Sequence, residues 1–304
     1  MKRILLLTRR NIKVYAADKT AFFFTFLSPL IVIFLNVVFL RDIQIDSINS
    51  MLGGLPADGS LVARIADGWL FSGITAVSCL TVALNSAIVR VRDGETGVSD
   101  DFDAAPVPDY VKDFAYALAS FFISVIICAL ILTAGFAFLA VEGAVYSAGA
   151  VLGAYVALAV SCMFSAAFMS FIMRFFKTQS ASGAFSGIMS AASGFLIGAY
   201  MPLSFYGEGM RNALSLFPFA HSAALFRKFL MEESVRALAS ATAPEAGDAV
   251  MNAYDFELKF FGTDTTPAVL WGYLSAAVFV FAGLNVLIFF LNKRARNRPS
   301  RQIR

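Results

Sequence analysis

Six stretches of this sequence run for twenty or more residues without a single Asp, Glu, Lys, Arg or His: 21–40, 69–89, 114–141, 144–173, 180–201 and 268–291. A hydrocarbon layer of about 30 Å needs roughly 20 apolar residues at 1.5 Å rise each. An ionisable side chain at its centre costs about 2.5–3.5 kcal/mol on insertion scales. Each stretch therefore predicts a transmembrane helix. With 59% hydrophobic and 15% charged residues, the chain also lies far from the roughly 25% charge of a soluble domain. A net charge of +3 gives no electrostatic footprint for nucleic acid. The expectation is an all-α integral membrane protein in which 1–304 form one transmembrane domain.

Runs 114–141 and 144–173 are separated by Glu142-Gly143 alone, which predicts a tight helical hairpin. Lys and Arg concentrate in residues 2–19 and in the tail after 291. Six spans put both termini on one side, and the positive-inside rule makes that side cytoplasmic, in a plasma membrane. The first run is preceded by a long basic region and followed by Arg41-Asp42, not by a small-residue cleavage site. It reads as a retained helix. Cys79, Cys128 and Cys162 are odd in number, far apart in sequence and inside spans. They read as packing residues, with no metal site expected.

Residues 1–19 form an amphipathic pattern. Ile4, Leu5, Leu7, Ile12, Val14 and Tyr15 share one arc, with Arg3, Arg9, Arg10 and Lys13 opposite. That segregation predicts a helix lying among lipid headgroups. The loop 90–113 holds seven acids against three bases on the basic side, with glycine and proline punctuation and Phe102 as its one large apolar residue. It suits docking to a partner or, equally, a plain solvated loop. Between the last two spans, 202–267 begins as an apolar stretch broken by Gly207, Gly209 and Pro218, the pattern of a re-entrant element. Residues 219–239 then read as an amphipathic surface helix.

Within the spans, Asn36, Ser78, Thr81 and Asn85 are candidates to line a path. Ser78, Thr81 and Asn85 share a helix face at i, i+3, i+7. Each can equally bond a neighbouring helix or its own backbone. Gly183-x-x-x-Gly187 and Gly194-x-x-x-Gly198 are close-approach motifs for packing within the subunit or across a dimer interface. The absence of intramembrane ionisable residues argues against ion-coupled transport. The sequence contains no G-x-x-x-x-G-K-[ST] phosphate loop and no H-E-x-x-H motif, so neither ATP binding nor catalysis is expected on this chain.

The assembled pattern resembles a known family. A basic helix precedes the first span; Arg92-Asp93-Gly94-Glu95-Thr96-Gly97, Phe102 and Ala105-Pro106 join spans two and three. Span five ends in 194–202, GFLIGAYMP, followed by Phe217-Pro218 and Arg227. This is similar to the permease subunit of ABC-2-type (type V) exporters. The resemblance implies that residues 1–19 are a connecting helix resting on an ATPase. It makes Arg92, Asp93, Glu95, Phe102 and Pro106 part of a coupling helix, and places re-entrant gating helices after Pro202. It further implies a second permease copy and separate ABC ATPase subunits that hold ATP and Mg; among the cargoes such exporters carry, the uncharged path-lining candidates favour a drug-like or lipid-like amphiphile. The competing readings are a non-transporting assembly or immunity protein on the same scaffold, or a membrane-embedded lipid-modifying enzyme.

Overall fold

The computed structural model describes residues 1–104, 107–260 and 263–296. The chain runs α1 (Lys2–Ala17), α2 (Lys19–Leu35), a π-helical turn (Asn36–Leu40), α3 (Arg41–Met51), α4 (Gly59–Glu95), α5 (Val98–Ala104) and α6 (Asp109–Val141). It continues through α7 (Ala148–Ile172), α8 (Gln179–Leu196), α9 (Glu208–Ser215), α10 (Pro218–Ala241) and α11 (Pro244–Ala253), and closes with α12 (Pro267–Arg296). A minimal antiparallel ribbon, β1 (Lys259–Phe260) with β2 (Thr263–Asp264), precedes α12. It is an all-α membrane protein: five helical stretches are long and apolar enough to cross a bilayer, Lys19–Met51, Gly59–Glu95, Asp109–Val141, Ala148–Phe175 and Pro267–Leu291.

α4 is the axis of the bundle. Its most apolar window is 83% buried, against 17% for that of α12. At 1.5 Å per residue its 37 residues span roughly 55 Å, well beyond a bilayer. The surplus projects at both ends. At the first end Asp58 caps the helix by accepting the Ser60 amide at 2.9 Å, so residues 59–68, expected in a connecting loop, are helical. Arg41–Met51 is helical too. The charges in this extension are tolerated because Arg41 clasps the buried Asp67 through two bonds, at 3.0 and 2.9 Å.

Three further departures have local causes. Ser147 caps α7 through the Ala150 amide, so the hairpin turn after α6 occupies 142–147 and is longer than two residues. α8 stops at Leu196 and is not among the five membrane-length stretches; its 18 residues are only about 27 Å long. Finally, α10 is not a surface helix. Phe219, Leu225, Phe226, Leu230, Met231 and Leu238 are all buried. Gly153 on α7 leaves room for it: a Cβ there would sit 2.4 Å from the Phe229 ring. Along α1, the residues buried against the bundle are Thr8, Asn11 and Tyr15, whereas Leu5 and Leu6 face outward.

Candidate functional site

The end of the bundle that carries α1 is tied together by charge. α4 extends past its apolar run through Arg90, Arg92, Asp93 and Glu95, and Gly97, at φ +79°, turns the chain into α5. Asp93 is 2% exposed. Arg10 of α1 grips it bidentately, one of the bonds at 3.0 Å, and the Tyr116 hydroxyl of α6 donates to it at 2.6 Å. The Asp93 carboxylate in turn holds the Arg10 guanidinium above its usual pKa. The same guanidinium lies 5.5 Å from the centre of the Phe102 ring on α5, a cation–π contact. Arg92 pairs with Asp18 at 2.7 Å, while Asp18 accepts the Ala21 amide at the start of α2. Glu95 accepts the backbone amide of Gln179, the first residue of α8, at 2.8 Å.

Beside this corner Asp113 of α6 bridges two arginines, Arg90 at 2.6 Å and Arg174 at 2.9 Å. Arg174 also donates to the Asn285 side chain at 3.1 Å, and Asn285 donates back to the Ala167 and Phe281 carbonyls. Side chains from α1, α4, α5, α6 and α12, together with Arg174 just beyond α7 and the first amide of α8, thus meet at one end. Outward from the corner, Glu95, Asp100 and Asp101 are exposed. Pro106 and the neighbouring Ala105 lie outside the described residues.

In the middle of the bundle the small polar residues turn inward. Ser78 donates to the Ile74 carbonyl at 2.7 Å. Thr81 is fully buried, its hydroxyl without a partner among the described residues, and Asn85 is half-buried. The Asn36 side chain lies outside the described residues. Cys79, Cys128 and Cys162, far apart in sequence, converge from α4, α6 and α7 so that their sulfurs all lie within 4.8 Å of one another. They are free thiols.

The four glycines of α8 divide by position. A Cβ on Gly183 or Gly187 would meet nothing within 4 Å. Gly194 and Gly198 instead build the end of the helix. Gly198 adopts φ +76°, the Gly194 carbonyl accepts the Ala199 amide at 2.7 Å, and the Phe195 carbonyl accepts the Gly198 amide at 3.3 Å. This is the Schellman arrangement that glycine permits past a helix C-terminus. The Gly198 carbonyl then accepts Arg227 of α10 at 2.6 Å, and Arg227 lies 3.4 Å from Asp255. Asp255 accepts the amides of Leu203 and Ser204. Arg227 is wholly buried and Asp255 nearly so. Burial pushes the Asp255 carboxyl up and the Arg227 guanidinium down, each partly offset by the other's charge.

Sequence reasoning grouped Asp93 with the docking residues and did not foresee that it is interior, or that Arg227 has Asp255 as partner. For Asp93 the usable signal was its i, i+2 spacing to Glu95, which puts it on the opposite face of α4 from that exposed acid. For Arg227 it was a charge inside an otherwise apolar stretch. No curated protein matches this chain. The family profile of the ABC-2 type transporter matches residues 2–231, from the start of α1 into α10 and including every charged residue of the corner, though not Asn285 of α12. The chain is thus a multi-pass membrane component of an ABC transporter, and belongs to the ABC-2 type transporter family.

Proposed function

We propose that the chain is the permease of an ATP-driven exporter, working with a separate ATPase subunit and a second permease copy. The α1–α5 corner is its cytoplasmic docking surface. α8 is the sixth span, six spans put both termini in the cytoplasm, and the membrane is the plasma membrane. The observation that carries this reading is the Arg10 clasp: one guanidinium joins α1, the end of α4 and α5 through Asp93 and Phe102. A subunit pressing on α5 or α1 would therefore push on the most buried helix of the bundle. Glu95 and Arg92 extend the same push to α8 and α2.

Mechanism follows from that connectivity. ATP and its Mg ion bind the partner subunits, whose closure moves the exposed acidic face of Glu95, Asp100 and Asp101. The helices tilt as packed bodies, because interfaces at native packing density switch between discrete arrangements. The open glycines at 183 and 187 face the second copy. The cargo is an uncharged or amphiphilic molecule, drug-like or lipid-like, because the candidate path-lining residues carry no charge. Co-purification with an ATP-binding cassette subunit, followed by ATPase assays across antibiotics and lipids, tests the reading. A chain that never associates with such a subunit would contradict it.

A further inference from the structure

A groove of about 780 Å³ runs between α6, α7 and α12 and ends beneath Ile4 of α1. This is within the ~300–1,000 Å³ of small-molecule sites. Alanines make its floor (Ala117, Ala166, Ala282) and aromatic or branched side chains its walls (Phe121, Val286, Phe289). Besides the Tyr110 hydroxyl, its polar lining is Asp113, Arg174 and Asn285, which the bonds described above place together. The groove opens beside Phe114, Val286 and Phe290, which are 55%, 55% and 54% exposed on apolar helix faces. Its mouth therefore faces acyl chains.

Charge at that polar end does not balance. Arg174, its side chain 9% exposed, and Arg90 share the single carboxylate of Asp113; the nearby Lys112 is matched by Asp109. Among the described residues this leaves one positive charge over at the edge of the membrane. α12 continues into Lys293, Arg294 and Arg296, adding basic sequence at the same end. Basic pockets between helices at the cytoplasmic face bind anionic headgroups, and a surplus charge near hydrocarbon calls for a counter-charge.

We propose that this groove holds an anionic glycerophospholipid, one acyl chain along the alanine floor and the phosphate against Arg174. A water-borne anion would satisfy the charge but not the long apolar trough. The site depends on this end of the bundle lying at headgroup level, and not on whether the chain exports anything. It also bears on the corner, because Arg90 joins the headgroup cluster to the last turns of α4.

The test is native mass spectrometry of the full chain released from nanodiscs containing phosphatidylglycerol or phosphatidylcholine, with glycerol phosphate as the headgroup-only control. The wild-type chain is expected to retain phosphatidylglycerol about fivefold over phosphatidylcholine, and glycerol phosphate not at all. Arg174→Gln should abolish the preference and Arg174→Lys should restore much of it. Ala282→Phe, at an exposed position on α12 where folding is not at stake, should expel the retained lipid while leaving the cation in place. Equal retention of the two lipids by the wild-type chain overturns the proposal. So does phosphatidylglycerol retention that survives either Arg174→Gln or Ala282→Phe.

Discussion

The two ends of the molecule are both held by arginine–aspartate pairs, but in opposite settings. At the α1 end Arg92 and Asp18 are 27% and 30% exposed, and Arg10 is 30% exposed where it reaches the buried Asp93. At the other end Arg227 is 0% exposed and Asp255 only 5%. A buried pair has no water to fall back on, so losing one partner leaves an uncompensated charge. A pair exposed on both sides, such as Arg92–Asp18, can exchange partners with solvent or an incoming surface at little cost, and Arg10 can be drawn away from the buried Asp93 only while Tyr116 still donates to that carboxylate. The difference separates a fixed strut, which sets where α8 ends relative to α10, from a clasp that a docking subunit can rearrange.

The strut should fail hardest. Arg227→Met leaves Asp255 without its counter-charge and frees the Gly198 carbonyl, and is expected to lower stability by about 3–5 kcal/mol. The measurement is thermal unfolding in detergent. A melting temperature near wild type would place Arg227 on a par with a surface arginine and erase the contrast.

Next is acid sensitivity at the same end. His221 stacks on Tyr273 at 4.2 Å, and burial lowers its pKa to about 4, against a weak upward pull from the Phe217 carbonyl. Above its unfolded value of about 6.5 the neutral ring costs nothing. Below that value the unfolded chain takes up the proton and the folded chain does not until about pH 4, so stability falls across this window by up to about 3 kcal/mol. The melting temperature of His221→Gln should depend less on pH between 7 and 4.5 than that of the wild-type chain. An equally steep dependence in the variant would put the acid sensitivity elsewhere.

The glycines of α8 sharpen the comparison within one helix. Gly198→Ala forces a side chain into φ +76° and to within about 3.1 Å of Leu203, a strain of order 1–2 kcal/mol. Gly187→Ala meets open space within the chain and should change monomer stability by less than about 0.5 kcal/mol. Melting curves of the two variants side by side test this order, and a reversed order would contradict the helix-end geometry.

Much of this architecture could be read from residue order. Charge-free runs mark the membrane helices because a bilayer forbids uncompensated charge. The glycine–proline punctuation after Arg92 marks α5. Three things could not be read. Arg41 and Asp67 look like loop charges until two helix extensions bring them together. Gly194-x-x-x-Gly198 has the spacing of a helix-packing motif, and only the backbone turn distinguishes it from a C-terminal cap. Asp93 sits among exposed acids in sequence, and its burial depends on Arg10 and Tyr116, which come from segments 83 and 23 residues away. For Arg41–Asp67 and for Asp93 the deciding partner is distant along the chain; for the glycines it is a backbone conformation that spacing alone does not reveal.

A change with little effect on stability carries the most direct functional test. Glu95→Gln with Phe102→Ala removes one exposed acid and the ring beneath Arg10, but leaves the Arg10–Asp93 clasp intact. It should lower the melting temperature little, a change of about 1 kcal/mol or less. The decisive measurement is substrate-stimulated ATPase activity of the purified permease–ATPase complex carrying this double variant. The coupling-corner account predicts that the complex still assembles and hydrolyses ATP at its basal rate while stimulation falls at least several-fold. Full stimulation in the double variant would contradict it.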